Sequence, residues 1–228
     1  MCFLAAFNAK RRGVRTYVSQ YMFNTPPGTT PRMDLAKMQA KQEMIGSLED
    51  NQFTVLREVR AGLASLSPQP NVAKGQMASS AVVSLAMKPH ILHVVGFSEG
   101  DHAVTAAELI ESCEIAHGVL KGVLCGLPDL THDDVVQKRK AELIVEAQLL
   151  LQAIRDLAPS NPDPWATPAV LAQAVVKGIL DAPGLNGNPH ARGDVVTAII
   201  GGACRVVDPE TGKALSEADR LWRLGCLT

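Results

Sequence analysis

The N-terminal half of the sequence alternates three times between a strand-like and a helix-like pattern, and this alternation constrains the fold more than any other feature. The strand-like segments are rich in β-branched and aromatic residues and cover 14–23, 53–61 and 91–97. Turn residues and an apolar helical periodicity follow each of them, over about 31–50, 71–87 and 105–124. Successive strands that are joined by helices pair in parallel. The sequence therefore predicts an α/β fold of parallel βα units.

Two architectures are compatible with three βα units. A closed eight-stranded barrel needs about 250 residues and eight such units, so three strands form either a small open sheet or part of a barrel. The apolar start Met1–Phe7 resembles the last turns of a core helix whose beginning lies on other sequence. We therefore expect the C-terminal part of a TIM-type barrel.

The character of the chain changes after a long apolar-striped helix predicted over about 133–157. A run of proline and polar residues, Pro159–Pro164, is typical of a turn or linker. A short helix, a strand or hairpin over 194–207 and a last helix near Ser216 follow it. These patterns predict a βα-repeat domain over 1–158 and an irregular α+β extension over 159–228 that packs on it.

Charge and cysteine content exclude several classes of function. The chain has 22 basic and 23 acidic residues and a formal net charge of -1, so nothing in its charge favours nucleic acid or an anionic membrane. Its five cysteines are scattered and form no C-x-x-C pair, which indicates free thiols in the reducing cytoplasm. We expect a cytoplasmic protein with neither a nucleic-acid nor a membrane partner.

The segment His90–His102 carries the predicted catalytic residues. An apolar strand-like run ends there in Ser-Glu-Gly-Asp-His, just before the next helix. Ligands of parallel α/β folds bind at the carboxyl ends of the strands. We therefore predict that Glu99, Asp101 and His102 are catalytic, with Glu99 and His102 at the rim of the site. The alternative is an ordinary solvated βα turn.

The predicted substrate-binding residues are Gln20, Asn24, Arg57 and Arg60. Either arginine could hold a substrate carboxylate, because the guanidinium fork matches that group. The two have opposite strand parity, so one could instead face the helices and pair with Glu58. Gln20 and Asn24 lie at the end of the first strand, although Asn24 precedes Thr-Pro-Pro and is equally suited to a turn.

Two other chemistries fit the sequence less well. Asp101, His93 and His102 could hold a metal, but no H-x-x-x-H or H-E-x-x-H spacing supports a zinc site, so we predict none. Gly96-Phe-Ser-Glu-Gly100 matches the letters of a hydrolase nucleophile elbow. Its aspartate and histidine follow immediately and the helix begins several residues late, which disfavours a hydrolase.

Four segments of the chain resemble the barrel subunit of adenosylcobalamin-dependent mutases. The nearest relatives by this resemblance are the large subunits of glutamate mutase (methylaspartate mutase) and of lysine 5,6-aminomutase or ornithine aminomutase. The segments lie within residues 13 to 181 and are Gly13–Pro26, His90–His102, Val135–Leu151 and Lys177–Asp181.

The resemblance implies a radical isomerase that acts on an amino acid or related carboxylate at the mouth of a barrel. Adenosylcobalamin would be held mainly by a cobalamin-binding subunit or by the missing N-terminal half of the barrel, in an oligomer. The chain lacks the Asp-x-His-x-x-Gly motif whose histidine ligates cobalt, and nothing singles out Lys74 or Lys88 as a pyridoxal-phosphate lysine. A non-catalytic structural or assembly subunit with the same partial barrel is the alternative.

Overall fold

A three-stranded parallel sheet in the order β1-β2-β3 organises the N-terminal part of the protein. The structure, a computed structural model, describes residues 1–227. Its strands in this sheet are β1 (Thr16–Phe23), β2 (Thr54–Ala61) and β3 (Ile91–Leu92). Sequential parallel strands separated by helices confirm the predicted α/β fold of βα units.

Seven α-helices occur in the described residues. They are α1 (Cys2–Arg11), α2 (Pro31–Gly46), α3 (Pro70–Leu85), α4 (Ala106–Leu124), α5 (Asp134–Asp156), α6 (Pro168–Val176) and α7 (Glu217–Arg223). Within the same residues, no helix combines the length and the apolarity that crossing a bilayer requires.

Helices α1, α2, α3 and α5 pack on one face of the sheet. The odd-numbered side chains of β1 and β2 face them, and six of these are buried: Ser19, Tyr21, Phe23, Val55, Val59 and Ala61. Residues of α1, α2 and α3 complete two hydrophobic clusters with these strands. Even-numbered side chains point the opposite way, because strand side chains alternate. Among the described residues, that second face carries no helix and Val18 on it is 43% exposed.

The third strand ends earlier than the sequence predicts. Its last ladder bond runs from the His93 amide to the Val59 carbonyl at 2.9 Å, and the prediction that it continues to Phe97 is wrong. Beyond His93 the chain leaves the sheet, and Phe97 packs against Met77 of α3 in a cluster of its own. The Phe97 amide donates to Ser112 Oγ of α4 at 3.1 Å. Burial between α3 and α4 therefore replaces strand pairing for this apolar run.

The predicted capping box at the start of α4 is confirmed. The Glu108 amide donates to the Thr105 side chain, and the Thr105 amide donates back to Glu108 Oε2 at 2.8 Å. These bonds satisfy amides that the first helical turn leaves without partners. Because the box fixes the start of α4, it also fixes the preceding loop at the carboxyl end of β3.

The C-terminal residues form a short antiparallel hairpin, β4 (Thr197–Ile200) and β5 (Ala203–Val206), together with α6 and α7. The hairpin was predicted, and its turn lies on the loop between β1 and α2: the Thr30 amide donates to the Gly202 carbonyl at 2.8 Å. A cluster shared by α1, α5, α6 and α7 includes Leu4, Ile154, Ala174 and Leu221. The extension therefore shares a core with the first part of the chain.

Candidate functional site

The helix-free face of the sheet carries a polar cluster across all three strands. Gln20 of β1 lies directly opposite Glu58 of β2 in the parallel register. His93 follows β3 on the same face, since Ile91 pairs with Glu58 and His93 shares the parity of Ile91. Parallel sheets usually have both faces covered, so an open face with polar groups is unusual. We define these residues, together with Arg60, as the open-face cluster.

Glu58 is the centre of this cluster. Its Oε1 accepts from Gln20 Nε2 at 2.9 Å and lies 3.1 Å from His93 Nδ1. The hydrogen bond from Gln20 lowers the pKa of Glu58, and the interaction with His93 lowers it further, against the opposing effect of burial. Glu58 is therefore a carboxylate at neutral pH, although only 17% of its side chain is exposed.

Arg60 supplies a cation that has no carboxylate partner among residues 1–227. It has the same strand parity as Glu58, and its charge is close enough to contribute to the lowered pKa of that residue. Among the described residues Arg60 makes no ion pair, and its Nε donates only to the Ala61 carbonyl at 3.3 Å. Since guanidinium groups bind carboxylates bidentately, Arg60 is suited to an acidic ligand.

Two predicted substrate-binding residues have structural roles instead. Arg57 faces the helices, where its Nη2 donates to the Lys88 carbonyl just after α3 at 2.7 Å. Asn24 has φ +55° and forms part of the turn after β1. Its side-chain amide donates to Ser80 Oγ, and its own amide donates to Asp34 at 2.7 Å. Their polar groups are thus committed within the fold, which leaves Gln20 and Arg60 as the predicted binding residues on the open face.

The predicted catalytic residues lie in one turn but do not all contact each other. Glu99 Oε1 accepts from the Gly96 amide at 2.5 Å, so Glu99 closes its own turn. The His102 ring lies 3.0 Å from both Asp101 and Glu108. Because β3 ends at Leu92, strand parity does not extend to Glu99.

This turn is next to the carboxyl ends of the strands. Gly100 packs closely against Leu66 in the loop that follows β2: a Cβ added at Gly100 would lie only 2.9 Å from Leu66 Cβ. Asp101 and then Glu108 raise the pKa of His102 above its ordinary value. Thr105, through its amide and hydroxyl, and then His102 lower the pKa of Glu108 to about 2. The Asp101–His102–Glu108 contacts thus form a charged link at the start of α4.

The geometry does not favour the two other chemistries considered. His93 pairs with Glu58 while His102 pairs with Asp101 and Glu108, and no three such side chains in residues 1–227 have the arrangement of a metal site. Ser98 is only 6% exposed, and a turn rather than a helix follows it. A nucleophile elbow instead exposes its serine at the start of a helix.

Sequence reasoning missed Glu58 and His93 as members of one site. Glu58 was considered as an ion-pair partner of an arginine, and His93 as a core histidine or a metal ligand. Strand parity together with the strand register identifies Glu58. The first residues of β1 and β2 are paired, so Glu58 lies opposite Gln20 and on the same face as Arg60.

No family model matches the sequence, and a search of curated proteins finds none with significant similarity to it. The arrangement of side chains on the open face therefore carries the functional proposal.

Proposed function

We propose that this chain is the substrate-binding barrel component of an adenosylcobalamin-dependent mutase that acts on an amino acid or related carboxylate. The observation that carries the proposal is the open-face cluster. In the described part of the chain it combines a guanidinium that forms no ion pair with a carboxylate–histidine pair, on the helix-free face of a parallel sheet. In a barrel that face becomes the interior, and Arg60 lies one residue before the carboxyl end of β2, the end at which barrel enzymes bind their substrates.

The strand arrangement supports a barrel rather than a doubly wound sheet. The strands follow in sequential order, and α1, α2 and α3 all pack on one face. Doubly wound sheets reverse their strand order and have helices on both faces. We propose that further strands, from polypeptide outside these 228 residues, pair with the free edges of β1 and β3 and cover the open face.

The residues of this chain do not fit a corrinoid. The cobalt-ligating motif is absent from the sequence. We therefore assign adenosylcobalamin to a partner subunit, where it would supply the radical chemistry.

The role that we assign to this chain is to bind and orient the substrate. Arg60 holds its carboxylate, and Gln20 keeps Glu58 in place through the 2.9 Å hydrogen bond. Covering strands would exclude water from the face, which strengthens each of these polar contacts. Orientation by fixed groups is the main contribution expected of a protein whose cofactor carries the reaction.

Calorimetric titration with L-glutamate, L-ornithine and L-lysine tests the proposal. We expect at least one of them to bind, and Arg60→Lys to weaken that binding about tenfold, because the bidentate contact is lost. Arg15→Lys is the matched control, since Arg15 is an exposed arginine before β1, at the opposite end of the strand. Equal affinity in the wild type and Arg60→Lys would contradict the proposal.

A structural or assembly role is the second candidate, and the free edges of the sheet favour it. A structural subunit would associate with its partner but bind none of the three amino acids. The same titrations, repeated on the associated protein, distinguish the two functions.

A further inference from the structure

A cavity of about 460 Å³ lies among α1, α2 and α5, beside the edge strand β1. Small-molecule sites typically have volumes of about 300–1,000 Å³. Most of the lining side chains are apolar and belong to the three helices, and they include the adaptable side chains of Met38 and Met44. Of the described residues that line it, only Lys37 and Lys41 carry a charge. We call this space the helix cavity; its lining suits a ligand that is mainly apolar.

The two lysines of the helix cavity differ in their partners. Lys37 Nζ lies 2.8 Å from Asp34 Oδ1, so a carboxylate compensates its charge. Lys41 forms no ion pair within residues 1–227. Its Nζ donates to the Gln20 carbonyl and lies 4.9 Å from the centre of the Tyr21 ring. Both of these partners are uncharged, so the positive charge of Lys41 is not compensated.

The position of Lys41 favours an anion beside it. Burial lowers the pKa of Lys41 below its ordinary value, although the neighbouring Cys2 of α1 opposes the shift. This direction shows that the cation is unfavourable where it lies, and a paired anion offsets such a cost. An ammonium group has three N–H donors, so Lys41 can bind a ligand and keep its contact with Gln20.

We propose that the helix cavity binds a medium-chain fatty carboxylate, with its carboxylate on Lys41 Nζ and its hydrocarbon chain against the apolar side chains of the three helices. The proposal goes beyond the proposed function and does not depend on it, because Glu58, Arg60 and His93 do not line this cavity. An alcohol of the same length would fill the apolar space but leave the charge of Lys41 uncompensated.

Calorimetric titration of the chain with octanoate, hexanoate and 1-octanol tests the proposal. We expect octanoate to bind about tenfold more tightly than 1-octanol, because only the carboxylate forms a charge-assisted hydrogen bond with Lys41. Hexanoate should bind about fifteenfold more weakly than octanoate, since each buried methylene contributes about fourfold. Equal affinities for octanoate and 1-octanol in the wild type would overturn the proposal, and this comparison needs no variant.

Two variants separate the contact of the head group from that of the chain. Lys41→Met should abolish the preference for octanoate while 1-octanol still binds; Lys121→Met, at an exposed lysine on α4, is the matched control. Ala147→Phe places a ring in the cavity and should weaken both ligands at least tenfold. Ala141→Phe, at an exposed position on the same helix, is its control. An unchanged preference in Lys41→Met, or unchanged octanoate affinity in Ala147→Phe, would overturn the proposal.

Discussion

The guanidinium of Arg57 binds the carbonyl oxygen of Lys88, through Nε at 3.0 Å and Nη2 at 2.7 Å. Lys88 lies in the left-handed region, with φ +48°, directly after α3. A cation at this position binds a carbonyl just beyond the end of the helix and interacts favourably with the helix dipole. Arg57 therefore connects β2 to the end of α3.

Replacing Arg57 by Ala is expected to lower the free energy of unfolding by about 1–2 kcal/mol, because charge-assisted hydrogen bonds to the helix end are lost. Amino-acid binding should not change. Arg60→Ala is the matched comparison. It should lose amino-acid binding and change the free energy of unfolding by no more than about 0.5 kcal/mol. Urea denaturation and calorimetry on both variants measure these effects. Loss of amino-acid binding without loss of stability in Arg57→Ala would contradict the roles assigned to the two arginines.

Asp34 stabilises the loop at the carboxyl end of β1. It is 1% exposed, and it accepts from the Asn24 amide at 2.7 Å and from Lys37 Nζ at 2.8 Å. Asp34→Ala leaves both donors without this partner, so we expect a loss of about 2–3 kcal/mol of unfolding free energy. Asp156→Ala on α5 is the exposed control, with a change within about 0.5 kcal/mol. Similar denaturation midpoints for the two variants would exclude this role of Asp34.

The link between His102 and Glu108 predicts how the start of α4 responds to pH. The pKa of His102 is raised, so its stabilising contribution is complete below its ordinary value of 6.5 and is lost as the pH rises through the raised value. The pKa of Glu108 is lowered to about 2, so its contribution is complete above 4.5 and is lost as the pH falls toward 2. Both contributions are complete only between pH 4.5 and 6.5.

An NMR titration of His102 checks this prediction. Glu108→Gln should lower the midpoint of His102 part of the way toward 6.5, because Asp101 is the larger cause of the raised pKa. Glu114→Gln, an exposed substitution on the same helix, should leave the midpoint unchanged. A midpoint unaffected by Glu108→Gln would show that the two side chains do not interact in solution.

The open face predicts association, because Val18 and Ile91 on it are 43% and 38% exposed. Parallel sheets are normally buried on both faces, and apolar surface next to a free strand edge favours pairing. We expect oligomers by light scattering at micromolar concentration, and fewer of them in Val18→Lys. Val145→Lys, at a 56% exposed position on α5, is the control. A wild-type protein that stays monomeric over this range would contradict the prediction.

Local patterns in the sequence predicted the elements that are stabilised locally. The alternation of strands and helices, the Thr105–Glu108 capping box and the C-terminal hairpin all depend on residues close in sequence. The end of β3 could not be predicted in this way. It depends on whether β2 still offers a partner and on whether Phe97 finds a better environment between α3 and α4, and both are tertiary effects.

Only part of the candidate site could be predicted, because the rest also depends on tertiary contacts. Strand parity correctly separated Arg57 from Arg60, but it did not say which of them faces the helices. Identification of Glu58 and His93 required the register of three strands that are distant in sequence. Asn24 was ambiguous because the same residue type suits a turn and a binding site, and the sequence does not reveal its contact with Ser80.

Methyl NMR during titration with an amino acid that binds measures most directly whether the helix-free face is the ligand site. We expect the methyl signals of Val18 and Ile91 on that face to shift with the ligand, and those of Ile110 and Val145 on the exposed surfaces of α4 and α5 to stay in place. Shifts confined to Ile110 and Val145, with Val18 and Ile91 unmoved at saturation, would contradict the account.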